Sequence, residues 1–166
     1  MQQQRQQSAP AWLLTALARG PQARALLMGD RGHPDLRGEV RFYQTIRGSL
    51  VVSEFTGLPR GGGCACGVFG FHIHGGGMCR GDAADPFAMA GGHWNPGGCL
   101  HPCHAGDMPP IFGNRGSAFS AFLTERFQVR EVLGKTVILH AMPDDLRTQS
   151  AGASGRKIAC GEIKRA

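Results

Sequence analysis

Six of the seven histidines in this chain of 166 residues lie between positions 71 and 140, and their order limits the possible folds. His72 and His74 are separated by one residue, so on an extended strand both imidazoles project from the same face. An apolar, aromatic segment, 68–71, precedes the pair, and three glycines follow it, which favours a short strand ending at His74. The sequence therefore predicts a strand that presents two imidazoles to one ion.

A second group of metal-binding side chains follows in a segment rich in Gly and Pro, which is typical of a loop. His101, His104 and Asp107 stand at intervals of three residues. Two imidazoles and a carboxylate suit tetrahedral Zn²⁺, which needs one further ligand. His93 could supply that ligand.

His93 could also serve a second ion, because an imidazole has two ring nitrogens and can bridge once it is deprotonated. With His72, His74 and His140 it would complete a site of four nitrogens, which suits Cu²⁺. The plainer interpretation is a set of scattered loop histidines. The joint pattern argues against it, since only His33 lies outside the set.

Composition and apolar patterning predict one compact, all-β domain. The chain is 42% hydrophobic and contains 26 glycines, so it can bury a core and make many turns. Segments with a period of two or an apolar run recur, mostly separated by Gly or Pro, at 25–28, 39–45, 50–55, 68–74, 118–123, 136–140 and 158–163. Short strands at this spacing indicate an antiparallel sandwich or barrel.

Five blocks of sequence resemble the copper/zinc superoxide dismutase family, in the order in which that family has them. They are Phe71-His72-Ile73-His74-Gly75, His93-Trp94-Asn95-Pro96, His104-Ala105-Gly106-Asp107, Val137-Ile138-Leu139-His140 with Asp144-Asp145-Leu146, and Ile158-Ala159-Cys160-Gly161. The resemblance implies an antiparallel Greek-key β-barrel or immunoglobulin-like sandwich with long metal-binding loops. We expect one such domain over 23–166, preceded by a flexible or short helical extension over 1–22.

The resemblance also implies the site residues. Copper would bind His72, His74, His93 and His140, and zinc would bind the bridging His93 with His101, His104 and Asp107. Asp144 would orient one ligand of each metal through a hydrogen bond, although it could instead be a solvated acidic turn. Cys79 would form a disulfide with Cys160.

The zinc loop is shorter than in the family, because His101 and His104 stand closer together. We expect His101 still to reach the zinc ion; the alternative is a thiolate from Cys99 or Cys103, since thiolates also bind zinc well. We assign no role to the four cysteines outside the expected disulfide, which are Cys64, Cys66, Cys99 and Cys103.

The positively charged residue that would attract the substrate anion also differs from the family pattern. Lys157 stands where the family has an arginine, so the positive charge is kept while the planar fork of guanidinium is lost. Arg156 is the neighbouring candidate and more simply an ordinary surface charge. The loop 144–157 is short and has few charges, but a net charge of +6 and a pI of 9.4 should attract a small anion.

The resemblance implies an oxidoreductase that converts superoxide to dioxygen and hydrogen peroxide. His93 would carry a proton and Lys157 would steer the anion, with redox-active copper and structural zinc as cofactors. One alternative is a non-catalytic module that stores or delivers copper or zinc. A zinc hydrolase is disfavoured because it needs an open zinc position and a general base.

Superoxide is the expected substrate. The basic residues are spread along the chain without a nucleic-acid-binding motif, so no nucleic-acid partner is expected. No apolar stretch is long enough to span a membrane, and no membrane partner is expected. Family members are often dimers, so a homodimer is an option.

Residues 1–8 are rich in Gln and are expected to be disordered, whereas 11–18 could begin a helix. We expect a cytoplasmic protein. A secreted or periplasmic location is the alternative, based on Arg5 and the small residues of 23–25, but the apolar stretch between them is short for a signal sequence.

Overall fold

The computed structural model describes residues 9–60 and 67–166. Within these residues, helix α1 (Ala11–Arg19) precedes nine strands. They are β1 (Ala23–Gly29), β2 (Arg37–Thr45), β3 (Gly48–Thr56), β4 (Val68–Phe69), β5 (Phe71–His74), β6 (Ile111–Phe112), β7 (Ser117–Thr124), β8 (Thr136–His140) and β9 (Lys157–Arg165). A one-turn helix, α2 (Val129–Val132), lies between β7 and β8, and a 3₁₀ turn covers Ala88–Ala90.

Seven of these strands form one antiparallel sheet in the order β5-β8-β9-β1-β2-β3-β7, and β4 pairs with β6 in a separate ribbon. The last strand, β9, lies beside the first, β1, and the pairs β5–β8 and β3–β7 join strands distant in sequence. The result is a curled antiparallel half-barrel. This confirms the predicted all-β fold class.

The core is made by alternate residues of the strands. Along β1, Ala25 and Leu27 are buried whereas Leu26 is exposed, as expected for a strand with one face in the core. Across the interior, the rings of Phe55 and Phe71 meet edge to face with centroids 5.8 Å apart. Burial of these apolar side chains, at about 25 cal/mol per Å², is the main stabilising term.

Helix α1 packs on the outer face of the sheet. Ala16 is buried against Tyr43, Leu50 and Val52, which form a small second cluster. This packing explains why most of β3 is buried on both faces. The expectation of a helix over 11–18 agrees with the structure; the expectation of disorder for 1–8 lies outside the described residues.

Each predicted strand segment has a counterpart, but the segment 68–74 is broken at Gly70. There the Gly70 N–H donates to the Met142 carbonyl at 2.8 Å, and the Gly70 carbonyl accepts from the His140 N–H at 2.8 Å. The chain therefore changes partners between β4 and β5. The two-residue strand β6 carries too short a pattern to be predicted.

The predicted disulfide between Cys79 and Cys160 is confirmed, with Cα atoms 5.6 Å apart. Cys160 is buried in β9, beside Phe87 and Ile138. The bond therefore attaches the loop that follows β5 to a central strand of the sheet. Among the described residues, no helix has the length and apolar character needed to cross a membrane.

Candidate metal centre

Strand β5 presents two imidazoles to one side of the sheet. Phe71 and Ile73 belong to the core, so the alternating His72 and His74 project from the opposite face. Both histidines are nevertheless buried, with 0% and 2% exposure. Loops that fold over this face must therefore cover them.

The loop between β5 and β6 returns to β5 and brings further ligands to it. Single antiparallel bridges pair His72 with Asp107 and His74 with His93. These bridges set each loop residue directly beside a histidine of the strand. Two candidate metal ligands that are 14 residues apart in the loop are thus brought together, with the His93 Nδ1 and the Asp107 Oδ1 2.8 Å apart.

Gly106 permits this close approach. The Ile73 N–H donates to the Gly106 carbonyl at 2.8 Å, and the Ile73 carbonyl accepts from the Trp94 N–H at 2.8 Å. A Cβ atom on Gly106 would lie 2.3 Å from the Ile73 carbonyl oxygen. Any other residue would therefore push the loop, and Asp107 with it, away from the strand.

Strand β8 contributes His140, which lies opposite Lys157 of β9 at a local irregularity in the sheet. The His140 Nδ1–H donates to the Gly155 carbonyl at 3.1 Å, and the His74 Nδ1–H donates to the Gly91 carbonyl at 2.7 Å. A carbonyl can only accept, so both rings carry their proton on Nδ1. Their Nε2 atoms therefore carry no proton, and these two atoms lie 3.2 Å apart.

Four imidazoles converge at this point. Each offers one ring nitrogen, and these four atoms all lie within 4.8 Å of one another; the group, here called the copper group, is His72, His74, His93 and His140. Four nitrogen donors suit Cu²⁺. The structure thus brings together every residue predicted to bind copper.

A second group, here called the zinc group, shares His93 with the first. Its ligand atoms also lie within 4.8 Å of one another and belong to His93, His101, His104 and Asp107. The second carboxylate oxygen of Asp107 is 3.1 Å from the His101 Nδ1 and 3.5 Å from the His104 Nδ1. Three nitrogens and one carboxylate suit tetrahedral zinc.

Asp144 links the two groups. Its Oδ2 accepts from the His72 Nε2–H at 2.7 Å and its Oδ1 accepts from the His101 Nε2–H at 2.9 Å. Each ring is thereby held with its Nδ1 directed into its own group. The carboxylate is 2% exposed, so the structure does not place it in a solvated turn.

Unpartnered nitrogens show that both groups fit metal ions. Within 9–60 and 67–166, five buried side-chain polar atoms lack a hydrogen-bond partner, and four belong to these histidines: His72 Nδ1, His93 Nε2, His101 Nδ1 and His104 Nδ1. A buried polar atom without a partner costs about 1–3 kcal/mol. One ion in the copper group would satisfy His72 and His93, and one ion in the zinc group would satisfy His101 and His104.

The buried imidazoles are held in the form that metals bind. Burial, with the neighbouring His93, lowers the pKa of His72 to about 2, and burial lowers the pKa of His140 to about 4. Burial, with the neighbouring His140, also lowers the pKa of His74 well below its ordinary value. Although burial opposes it, the hydrogen bond from His93 lowers the pKa of Asp107. Neutral imidazoles and an ionised carboxylate are the ligand forms required.

A pocket of about 390 Å³ connects the copper group to the surface. Its lining includes His74, His93, His140, Arg156 and Lys157. The pocket is large enough for a small anion to reach the copper group. Both candidate cations, Arg156 and Lys157, lie at its wall.

The two cations have different partners. The Lys157 Nζ donates to the Asp85 Oδ2 at 2.6 Å and to the Phe87 carbonyl at 3.2 Å. The Arg156 guanidinium donates to the Asp30 Oδ2 at 3.0 Å, and its side chain is 62% exposed. The lysine is therefore held inside the pocket wall, whereas the arginine lies mostly in solvent.

Among the described residues, the ligand atoms of the zinc group include His101 and no thiol. His101 is 4% exposed, whereas the free Cys99 and Cys103 are exposed. The structure therefore favours His101 over either thiolate as the remaining zinc ligand. Cys64 and Cys66 lie outside the described residues.

Two side chains that no sequence motif marks hold the zinc loop in place. The Arg126 guanidinium donates to the carbonyls of Pro102 and His104 at 2.9 and 3.2 Å. Gln149 makes two contacts with the main chain of His101. Neither residue belongs to a motif, and both act through contacts that only the folded chain creates.

A curled antiparallel barrel that joins two histidine-rich groups through one shared imidazole defines a metalloprotein of the two-metal β-barrel class. The family model described as copper/zinc superoxide dismutase matches residues 36–163. The chain belongs to the copper/zinc superoxide dismutase family, whose members are oxidoreductases.

Individual relatives agree with this assignment. The chain is 33% identical to superoxide dismutase [Cu-Zn] 2 of Aquifex aeolicus over 86% of either chain. It is also 33% identical to superoxide dismutase [Cu-Zn] of Deinococcus radiodurans, over 85% of this chain and 83% of that one. The solved Cu/Zn superoxide dismutase of Brucella abortus matches 86% of this chain and 99% of its own with a TM-score of 0.71, at 21% identity, and shows the shared fold.

Proposed function

We propose that this protein dismutates superoxide, converting two superoxide anions and two protons to one dioxygen and one hydrogen peroxide. The observation that carries the proposal is the pair of ligand groups sharing His93, with the copper group opening to solvent through a cation-lined pocket. A redox metal reached by a small anion is what this reaction requires. A non-catalytic storage module is not favoured, because the copper group is complete and accessible.

The proposed cofactors are one copper ion on His72, His74, His93 and His140 and one zinc ion on His93, His101, His104 and Asp107. When bound, copper supplies a reversible one-electron change and zinc supplies a fixed positive charge without redox chemistry.

The protein supplies protons and orientation. His93 directs Nδ1 toward Asp107 and leaves Nε2 buried and unpartnered on the copper side. We assign the Nε2 atom of His93 as the site that would take up one proton from solvent and pass it to the reduced product, the second proton coming from solvent through the pocket. Asp144 holds the rings of His72 and His101, so that their Nδ1 atoms are directed into the copper group and the zinc group and would be available to the ions there.

Lys157 supplies the attraction for the substrate. Its ammonium group lies in the wall of the pocket, and Lys157 itself pairs with His140 across strands β8 and β9. A fixed cation at the wall of this pocket concentrates small anions and raises their rate of arrival. We assign Lys157 rather than Arg156 to this role because the Arg156 side chain is mostly exposed. The cytoplasmic location and the homodimer stay predictions.

The test is elemental mass spectrometry of protein reconstituted with copper and zinc, run beside a superoxide-scavenging assay with and without a copper chelator. We expect one copper and one zinc per chain and activity that the chelator removes. Zinc alone, with no scavenging activity in protein offered both metals, would contradict the proposal and favour a metal-binding module.

A further inference from the structure

We propose that Gln149 is a positioning residue for the zinc site, holding the backbone of His101 so that its ring can reach the ion from a shortened loop. The inference rests on the proposed function, because it concerns the same zinc group. It adds a residue that lies outside the ligand motifs and acts through His101.

The carboxamide of Gln149 makes two hydrogen bonds with one residue. Its Oε1 accepts from the His101 N–H at 2.9 Å, and its Nε2 donates to the His101 carbonyl at 2.9 Å. Together these bonds satisfy both main-chain polar groups of His101. Two bonds to the same residue fix its orientation as well as its position, which a single bond cannot do.

The loop that carries Gln149 is itself well ordered by short-range hydrogen bonds. The Asp145 carboxylate accepts from the N–H groups of Arg147 and Thr148 at 2.9 and 2.8 Å, and from the Thr148 hydroxyl. The Gly152 N–H donates to the Thr148 carbonyl at 2.8 Å. Gln149 thus projects from a turn that is closed by its own hydrogen bonds.

Gly152 allows this turn to lie against the zinc group. A Cβ atom at this position would lie 1.9 Å from the Asp144 Oδ1 and 2.8 Å from the His101 Nε2, and the residue has a φ of +62°. Glycine adopts that conformation at little cost and leaves the space clear. The loop can therefore contact His101 on two sides, through Asp144 at the ring and Gln149 at the backbone.

The contacts made by Gln149 determine which side chain of the short zinc loop faces the zinc group. His101 is buried, but the thiols of Cys99 and Cys103, two residues away on either side, are exposed. Releasing the backbone of His101 would let this segment rotate, so that its imidazole loses its direction toward Asp107. Mutation of a residue that orients a metal ligand without binding the metal itself typically lowers metal affinity by about 10- to 100-fold.

The test compares the whole protein with Gln149→Met, which keeps the length of the side chain and removes both hydrogen bonds. Zinc and copper affinities are measured separately by chelator competition. The visible spectrum of Co²⁺ bound in the zinc site reports its geometry, and thermal unfolding of the metal-free protein reports stability. Arg147→Gln is the matched control, because it changes an exposed side chain of the same turn. Gln149→Ser, which removes the same contacts with a small polar side chain, is the second variant.

We expect Gln149→Met and Gln149→Ser to weaken zinc binding by about 10-fold and to alter the Co²⁺ spectrum, with copper affinity within about twofold of wild type. Arg147→Gln should change neither. Unchanged zinc affinity, or equal loss of zinc and copper affinity together with a lower melting temperature of the metal-free protein, would overturn the role of Gln149. Failure of the wild-type protein to bind zinc would instead contradict the proposed function.

Discussion

The ammonium of Lys157 is bound by the carboxylate of Asp85, at 2.6 Å, in the wall of the pocket that leads to the copper group. The lysine side chain is 15% exposed and the aspartate side chain 42% exposed. The cation assigned to guide superoxide is therefore both immobilised and partly neutralised. The fixed position of the ammonium favours anion capture, whereas the neighbouring carboxylate weakens its attraction for an anion.

Lys157→Gln should lower kcat/KM for superoxide by about 10-fold at low ionic strength, since it removes the positive charge at the pocket wall. The rate should also become less sensitive to salt, because salt screens the attraction that the variant lacks. Pulse radiolysis at several ionic strengths measures both effects. Lys164→Gln, which removes a lysine that is paired with Glu162 and exposed, is the control with an equal change in net charge.

Asp85→Asn makes the opposite change at the same contact. Removing the carboxylate leaves the charge of Lys157 uncompensated, so the rate at low ionic strength should rise and its salt dependence should steepen. A rate for Lys157→Gln equal to that of Lys164→Gln would contradict the steering role.

His140→Ala should abolish copper-dependent turnover while leaving a folded domain. The variant removes one of four nitrogen donors, and His140 lies at the end of β8, beside the pocket rather than inside the main core. Copper content and scavenging activity are measured beside circular dichroism. His33→Ala, which changes the histidine outside both groups, should keep its copper; full activity in His140→Ala would refute the copper assignment.

The metal-free protein should lose stability as pH falls below about 6.5, the ordinary pKa of histidine. The folded state holds His72 and His140 neutral because their pKa values are about 2 and about 4. Below pH 6.5 the unfolded chain binds protons that the folded chain rejects, so each histidine lowers the free energy of unfolding by about 1.4 kcal/mol per pH unit.

For His140 this loss should continue down to about pH 4, where the folded state also binds the proton. Urea unfolding of the metal-free protein at pH 7, 6 and 5 measures the slope. Stability that is constant between pH 7 and pH 5 would show that these imidazoles are not held neutral.

Replacing both Cys79 and Cys160 with Ala should lower the free energy of unfolding by about 4 kcal/mol, because the bond closes a long loop in the unfolded chain. The two cysteines are 81 positions apart. Chemical denaturation at neutral pH measures the change. The double variant of Cys99 and Cys103 to Ser removes two exposed, unbonded thiols and should change stability by less than about 0.5 kcal/mol.

Much of the fold and of the metal centre could be predicted from local pattern. The alternation in β5 puts His72 and His74 on one face, and the structure shows both there. The ligand types and their order in the chain also identified the family, and through it the disulfide. The division into a domain over 23–166 and an extension stays a prediction, although α1 packs against the sheet.

The sequence by itself determined what is local: strand periodicity, the side of a strand from which a side chain projects, and the chemical preference of each ligand. Only the tertiary structure decided which carboxylate neutralises Lys157, which amide holds His101, and that His101 rather than a neighbouring thiol faces the zinc group. Asp85 is 72 residues from Lys157, and Gln149 is 48 residues from His101. Such contacts depend on how loops close over the sheet, and no spacing in the sequence specifies that closure.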